Sequence, residues 1–276
     1  MLILQTAGYI VLGFLVGGFG TLIGAGGGFL LTPALLLLFP AMSPQTVTAI
    51  SMTTVFFNSA SGSAAYARMK RVDYKTGLIF AAATLPGVII GTLLTSKTPR
   101  LLYNLIFGGF LLIFSVVIIL KSRIGDHSAE YDRPGKFRAR RVFTDRAGER
   151  HAFSFNMPLG VLISVGVGFM SGFLGLGGGI VHVPALIFLG FPAHFATATS
   201  HFVLACSSAV SFITHLAVGS LANETTLALC LAVGAVAGAQ VGAVLSKRVK
   251  GSAIMICLAV ALFIAGVRIF ALGLGL

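Results

Sequence analysis

Apolar residues in this chain come in long uninterrupted runs, at roughly 7–22, 28–40, 46–66, 75–95, 100–120, 156–174, 180–190, 196–215, 225–245 and 252–272. Continuous runs lack the outward–inward alternation of a transmembrane β-barrel, so strands are disfavoured there. A helix needs about 20 mainly apolar residues to cross a hydrocarbon core, and most of the runs approach that length. Only 9% of residues are charged, against roughly 25% in a soluble domain, and the mean hydropathy is +1.00. Most of the surface therefore meets lipid. The expected fold class is an all-α membrane protein of about ten membrane segments.

The formal net charge of +12 would suggest nucleic acid in a soluble protein. Here the basic residues sit in short connections between apolar runs, the distribution of cytoplasmic loops beside anionic lipid. No aromatic-interleaved basic patch accompanies them, so membrane lipid is an expected partner and nucleic acid is not. The first Lys or Arg is Arg68. The N-terminus thus lacks the basic start of a signal peptide, and the first run is expected to be retained. Cys206, Cys230 and Cys257 lie inside apolar runs without metal-ligand spacing; they read as packing residues. No cofactor or metal is expected.

A polar stretch divides the chain, giving a first membrane repeat at 1–120, a basic linker at 121–155 and a second membrane repeat at 156–276. The linker holds Asp126, Glu130, Asp132, Arg133, Pro134, Gly135, Arg138, Arg140, Arg141, Asp145, Arg146 and Arg150, and reads as a solvated cytoplasmic segment. The halves match across it. Gly24-Ala25-Gly26-Gly27-Gly28 precedes Pro33-Ala34-Leu35, and Gly175-Leu176-Gly177-Gly178-Gly179 precedes Pro184-Ala185-Leu186 at the same spacing. Ser51 then aligns with Ser200, Ser59 with Ser208 and Tyr66 with His215. Gly87 and Gly91 align with Gly238 and Gly242, each pair a G-x-x-x-G.

Loop charge orients the copies. The connection with Arg68, Lys70, Arg71 and Lys75 is basic, while its counterpart around Gly219–Thr225 has no Lys or Arg. Under the positive-inside rule the two lie on opposite sides. The connection at 96–100 has Lys97 and Arg100, whereas its counterpart has Lys247, Arg248 and Lys250. The expectation is two inverted repeats of five segments each, with both termini outside and the linker inside. An odd count requires each glycine cluster to be the tip of a short helical hairpin. The run 28–40 would extend only about 20 Å as a helix, so the tips are expected within the membrane depth.

Non-helical backbone survives at that depth only when buried in protein or lining a cavity. Gly26, Gly27 and Gly28, and Gly177, Gly178 and Gly179, permit positive φ and can turn their N–H groups into an anion-binding nest. The short helix that follows points its positive end at the same place. Thr32 before Pro33 reads as an N-cap with proline at the first helical position. Tight helix packing by small residues is the other reading of the glycines. No G-K-[ST] follows either cluster, so neither is a nucleotide loop.

The third run of each half carries a polar stripe: Ser51, Thr54, Asn58 and Ser61 in one, Ser200, Ser207, Ser211 and His215 in the other. Ser59 and Ser208 stand one step round the helix. Such a stripe lines a cavity or bonds to neighbouring helices, and Asn58, the costliest of these to bury unpaired, points to a cavity. His182 lies between a glycine cluster and Pro184, and His201 adjoins the second stripe. Either offers a titratable group, with a neutral helix contact as the alternative. No Asp, Glu, Lys or Arg falls near mid-membrane: Asp73 and Glu224 are in connections and Arg268 is near an edge. A cation carrier usually shows an intramembrane carboxylate, so its absence favours an anion held by N–H and hydroxyl donors. No carboxylate pair, nucleophile triad or metal cluster suggests an enzyme.

The paired G-x-G-G-G…P motifs, with Ala49-Ile50-Ser51 and Ala198-Thr199-Ser200 and two halves of similar size, resemble the TauE/SafE family of sulfite and organosulfur-anion exporters and related uptake permeases. The resemblance covers nearly the whole chain. It implies a multi-pass protein of a bacterial or archaeal cytoplasmic membrane, and a small anion such as sulfite, sulfoacetate, another sulfonate or thiosulfate. The expected function is an alternating-access exporter of such anions. Uptake and a passive anion channel are the alternatives, and a homo-oligomer is left open.

Overall fold

The computed structural model describes residues 2–123, 138–144, 150–222, 224–246 and 251–275. Along the chain run α1 (Leu2–Ile23), α2 (Gly28–Leu38), α3 (Pro44–Arg68), α4 (Tyr74–Thr95) and α5 (Arg100–Arg123). After a hairpin, β1 (Arg138–Thr144) and β2 (Arg150–Asn156), come α6 (Met157–Leu174), α7 (Gly179–Leu189), α8 (Ala193–Ala217), α9 (Thr225–Leu245) and α10 (Gly251–Gly273). Every apolar run of the sequence is a helix, with ends within a few residues of those expected.

Local chemistry sets several of the starts. Ser43 accepts the Thr46 N–H ahead of Pro44, Asp73 accepts the Thr76 N–H, and Asn156 accepts the Leu159 N–H ahead of Pro158. Each satisfies an amide that has no partner inside its own helix. Thr32 does not act this way. The first residue of α2 is Gly28, its cap is Gly27, and Pro33 sits inside the helix. The expected cap at Thr32 is wrong because glycine at positive φ already turns the chain, leaving the Thr32 hydroxyl free for another task.

Among the described residues six helices are long and apolar enough to cross a membrane: α1 from Leu4, α4, α5 to Ile119, α6, α8 and α9. Gly28–Leu38, Gly179–Leu189 and Leu262–Gly273 are shorter apolar helices. Large apolar side chains such as Ile113, Leu162, Phe188, Val233 and Ile264 stand exposed on the outside, which suits hydrocarbon as the solvent. Helix α3 spans 25 residues but is too polar for that set. Its Thr48, Ser51, Thr54, Asn58 and Ser59 are all buried, so α3 takes its stability from protein neighbours.

Helix contacts recur in exchanged pairs: α1 packs on α9 and α6 on α4, α3 packs on α9 and α8 on α4, while α3 packs on α8 and α5 on α10. Glycines set the closest approaches. A Cβ on Gly238 would stand 2.1 Å from the Phe14 carbonyl oxygen, and one on Gly87 2.5 Å from that of Val165. Backbones therefore touch at both G-x-x-x-G motifs. Direction follows from the register. Gly13, Gly17 and Gly18 meet Leu231, Ala235 and Gly238, so α1 and α9 run parallel. Thr84 and Val88 meet Gly168 and Gly172, so α4 and α6 do too. Gly108 meets Phe270 and Gly273 meets Leu105, so α5 and α10 are antiparallel. In the α3–α8 crossing, the Phe56 ring stacks on Phe212 at 5.6 Å and Gly62 meets His201, again antiparallel.

The 121–155 stretch is not solvated throughout. Strands β1 and β2 pair antiparallel, with Arg141 opposite Phe153, and Phe153 and Phe155 are fully buried. Their rings pack on Phe191 at 4.7 and 4.6 Å, and Phe155 also meets Phe80. Arg141 Nε donates to Asp73 Oδ2 (3.2 Å) and to Thr76 Oγ1 (3.1 Å). The alternation in Ala152-Phe153-Ser154-Phe155 puts both rings on one face, and that face docks on α4 and the α7–α8 turn. Asp126, Glu130, Asp132, Arg133, Pro134, Gly135, Asp145, Arg146, Lys247, Arg248 and Lys250 lie outside the described residues.

Candidate functional site

Both glycine clusters fold into the same turn. φ is positive at Gly24 (81°), Gly26 (77°) and Gly27 (80°), and at Gly175 (68°), Gly177 (79°) and Gly178 (74°). A side chain costs roughly 1–2 kcal/mol per residue in that region, so the glycine spacing is dictated by backbone conformation. The tips also meet each other. A Cβ on Gly28 would be 2.7 Å from the Gly175 carbonyl oxygen, and one on Gly179 would be 2.7 Å from that of Gly24. The first turns of α2 and α7, whose leading N–H groups have no partner within their own helices, thus converge at the centre of the molecule.

The second tip is gripped by hydroxyls from the first half. The last carbonyls of a helix lack intrahelical donors, and here four side-chain hydroxyls supply them. Thr95 donates to Phe173 O at 2.8 Å, Tyr103 to Leu174 O at 3.0 Å, and Ser51 and Thr32 to Gly175 O at 2.8 Å each. The Thr32 hydroxyl is also 2.8 Å from Ser51 Oγ. At the first tip Tyr66 donates to Thr21 O at 2.7 Å, and the His201 side chain interacts with the Gly24 backbone.

A small cavity opens beside the second tip. Gly177, Gly178 and Gly179 form one wall, with His182, Ser200, Ser207, Thr84 and Ser171 around it and Val167, Gly168, Val203 and Leu204 completing it. Three of its polar atoms are buried with no hydrogen-bond partner in the protein: Ser171 Oγ, Ser200 Oγ and His182 Nδ1. Leaving a buried polar group unmatched costs about 1–3 kcal/mol. Two of the three, the serine hydroxyls, can donate, so with the helix N-terminus beside them they suit a hydrogen-bond acceptor.

Other expected residues lie elsewhere. Gly26, Gly27 and Gly28 are packed by Leu204, Val16 and the second tip. Thr54 donates back to Ile50 O at 2.9 Å. Asn58 Oδ1 accepts from Thr21 Oγ1 at 3.0 Å, and His201 Nε2 is 3.3 Å from the same hydroxyl. The His201 ring also meets the edge of Tyr66. Asn58 Nδ2 and His201 Nδ1 remain without partners. Ser59 and Ser208 face each other at 3.3 Å where α3 crosses α8, and each also donates to its own helix, to Val55 O and Leu204 O. Ser61 bonds to Val236 O and Gln240, on α9, and His215 to Ser220.

Thr84, Ser164 and Ser171 were missed. Their signal was present in the sequence: Ser164 and Ser171 are seven apart, two turns along one face of α6, and Thr84 is one turn before Gly87. Among the described residues no group of His, Cys, Asp and Glu is placed to hold a metal, and no Asp, Glu, Lys or Arg lines the cavity.

The family model of the sulfite exporter TauE/SafE matches residues 9–269. The chain belongs to the TauE/SafE family. With its membrane-length helices, that makes it a multi-pass membrane protein. It is 32% identical over 267 residues to the probable membrane transporter protein YunE of Bacillus subtilis, covering 94% of this chain and 95% of the relative. A probable membrane transporter protein of Methanocaldococcus jannaschii is 27% identical over 93% of this chain and 92% of its own. One from Xylella fastidiosa is 28% identical over 87% and 84%. No solved structure matches. Relatives from bacteria and an archaeon thus align over most of their length, and the chain is a membrane transporter.

Proposed function

We propose that the chain exports small sulfur-containing oxyanions, sulfite or a sulfonate such as sulfoacetate, across the cytoplasmic membrane by alternating access. The observation that carries this reading is the cavity at Gly177–Gly179, whose Ser171 and Ser200 hydroxyls have no partner in the protein. A helix N-terminus contributes up to about 2 kcal/mol toward an anion in a partly buried setting. A hydrogen bond to a charged group adds about 1.5–3 kcal/mol. Two hydroxyls and the tip amides hold an anion on that scale without a buried Lys or Arg, and weakly enough to release it. Export as the direction rests on the family's description, a sulfite exporter.

The mechanism rests on two inverted five-segment repeats. Helix directions support this. With directions alternating along each half, repeats of the same orientation would make α1 and α9 antiparallel, and α4 and α6 likewise. Both pairs run parallel, and the self-matched pairs α3–α8 and α5–α10 run antiparallel. Such a pair of repeats, with its site at their interface, exposes that site to either side by rocking one against the other.

Counterflow in liposomes tests the proposal. With unlabelled sulfite or sulfoacetate trapped inside, labelled anion outside should accumulate transiently, and Ser171→Ala with Ser200→Ala should abolish this. Labelled anion that equilibrates without regard to trapped substrate would indicate a channel and overturn the carrier reading. Cysteine labelling tests the repeats: a cysteine at Arg71 should react from the inside only.

A further inference from the structure

On the reading that the cavity at the second tip holds an anion, we infer that binding there takes up one proton, held at Nδ1 of His182. The argument begins with a serine. Ser164 Oγ is 2.8 Å from the Gly160 carbonyl oxygen, one turn earlier on α6, and 3.2 Å from His182 Nε2. A serine hydroxyl has one hydrogen, and the shorter bond, to a carbonyl that can only accept, takes it. Ser164 then meets the imidazole as an acceptor, and Nε2 carries the ring proton. In neutral imidazole the other nitrogen is a bare lone pair. That nitrogen, Nδ1, is the one without a partner, on a side chain only 2% exposed.

A lone pair is the wrong group to present to an anion, which offers acceptors of its own. Two arrangements resolve the conflict. Either the ring gains a proton and Nδ1–H donates to the anion, or the anion arrives carrying a hydrogen that Nδ1 accepts. For a fully ionised anion both leave the complex with one proton more than the empty site. The proton comes from solution and lies between Nδ1 and an anion oxygen. It also lessens the cost of burying a net charge, which no Lys or Arg around the cavity offsets.

The surroundings single out this histidine. Helix α6 has no titratable side chain, and His182 is the one such group on α7. From α8, Cys206 packs in the same apolar cluster, while His201 turns to Thr21 and Tyr66. From α4, Phe80 packs on the imidazole at 5.8 Å, and Asp73, at the start of that helix, is engaged by Arg141. Among the described residues no carboxylate faces the ring. By the spacing of the repeats the matching position in the first half is Leu31, so only one tip has the device.

Calorimetric titration of the purified protein with methanesulfonate, which stays ionised throughout the range, and with sulfite, corrected for its own ionisation, tests the inference. At a pH where the empty site is neutral, binding heats in buffers of different ionisation enthalpy should show uptake of one proton. Affinity should fall about tenfold per pH unit in that range. In His182→Asn, whose amide donates without titrating, binding should persist with a flat pH profile and no proton uptake. Wild-type binding with no proton uptake overturns the inference and leaves the anion site standing, as does uptake that persists in His182→Asn. Failure of both anions to bind at any pH overturns the site itself. The wild-type measurement stands even if the variant misfolds.

Discussion

At Gly26–Gly28 the residues matching the walls of the second cavity are Gly20, Leu31, Ser51, Asn58 and Ala235; at Gly177–Gly179 they are Ser171, His182, Ser200, Ser207 and Thr84. The two backbones have nearly the same φ values, yet polar groups are distributed differently around them. Around the first tip Ser51 grips the other tip and Asn58 Oδ1 accepts from Thr21, with Asn58 Nδ2 unmatched. Around the second, Ser171, Ser200 and His182 keep unmatched atoms. On the proposed reading, one glycine turn is used twice, once as a brace and once as a receptacle. A conserved backbone shape reports what a segment can do, and its neighbours decide whether it does so.

The sharpest way to break this contrast is to remove the donors on each side. Ser171→Ala with Ser200→Ala should weaken sulfite binding by about a hundredfold or more, since two hydrogen bonds to a charged group are worth at least about 3 kcal/mol together. Asn58→Ala should change affinity by less than about threefold while lowering the melting temperature, because Thr21 loses its acceptor. A titration and a melting curve on each variant decide it; a larger affinity loss in Asn58→Ala would move the site to the first tip.

A milder comparison uses one methyl group. Alanine at Gly178 meets the side chains of Val167 and Ser171 at 2.9 and 3.1 Å, whereas at Gly27 it meets the Val16 carbonyl oxygen at 2.8 Å. Gly178→Ala should therefore reduce affinity about tenfold or more as its methyl crowds the cavity. Gly27→Ala should mainly cost stability, roughly 1–2 kcal/mol, read by denaturation in detergent. Equal effects on binding would make the tips equivalent after all.

Smaller again is Thr32→Val, which removes one of two hydroxyls on Gly175 O and should destabilise by about 0.5–1.5 kcal/mol. Val183 occupies the matching place, so Val183→Thr should leave stability within about 0.5 kcal/mol. The smallest effect belongs to Arg141→Ala. Its pair with Asp73 is only partly screened, with side-chain exposures of 17% and 2%. Melting should shift little, but limited proteolysis of the hairpin should speed up severalfold. An unchanged cleavage rate would mean that Phe153 and Phe155 alone hold it.

Much of this was legible in the chain. Uninterrupted apolar runs fixed the helices, and the glycine spacing announced positive φ at a repeated place. The face each helix turns inward was not legible. On α4 or α6, apolar nearly all round, no stripe marks the buried side, so Thr84, Ser164 and Ser171 passed as incidental. Thr32 was read from its neighbour Pro33 alone, while its true partner, Gly175 O, is 143 residues away in sequence. The hairpin was hidden by its flanks: the Phe153–Phe155 alternation is short and sits among charges. The contrast between Leu31 and His182 lay in plain view, and took its meaning only once Ser164 was placed beside the imidazole.

The parallel embrace of α1 by α9 has a bearing on biosynthesis. Helix α1 is made first, and its closest neighbour is more than 200 residues downstream. Until α9 is made, Gly13, Gly17 and Gly18 have no tight partner and α1 faces lipid or the insertion machinery. The pairing of α6 with α4 bridges the halves sooner, because α6 emerges with the first half already complete. Assembly should therefore close from the middle of the chain outward, α4 with α6 before α1 with α9. A ribosome stalled after α8 would hold an open clamp whose first helix still waits for its mate.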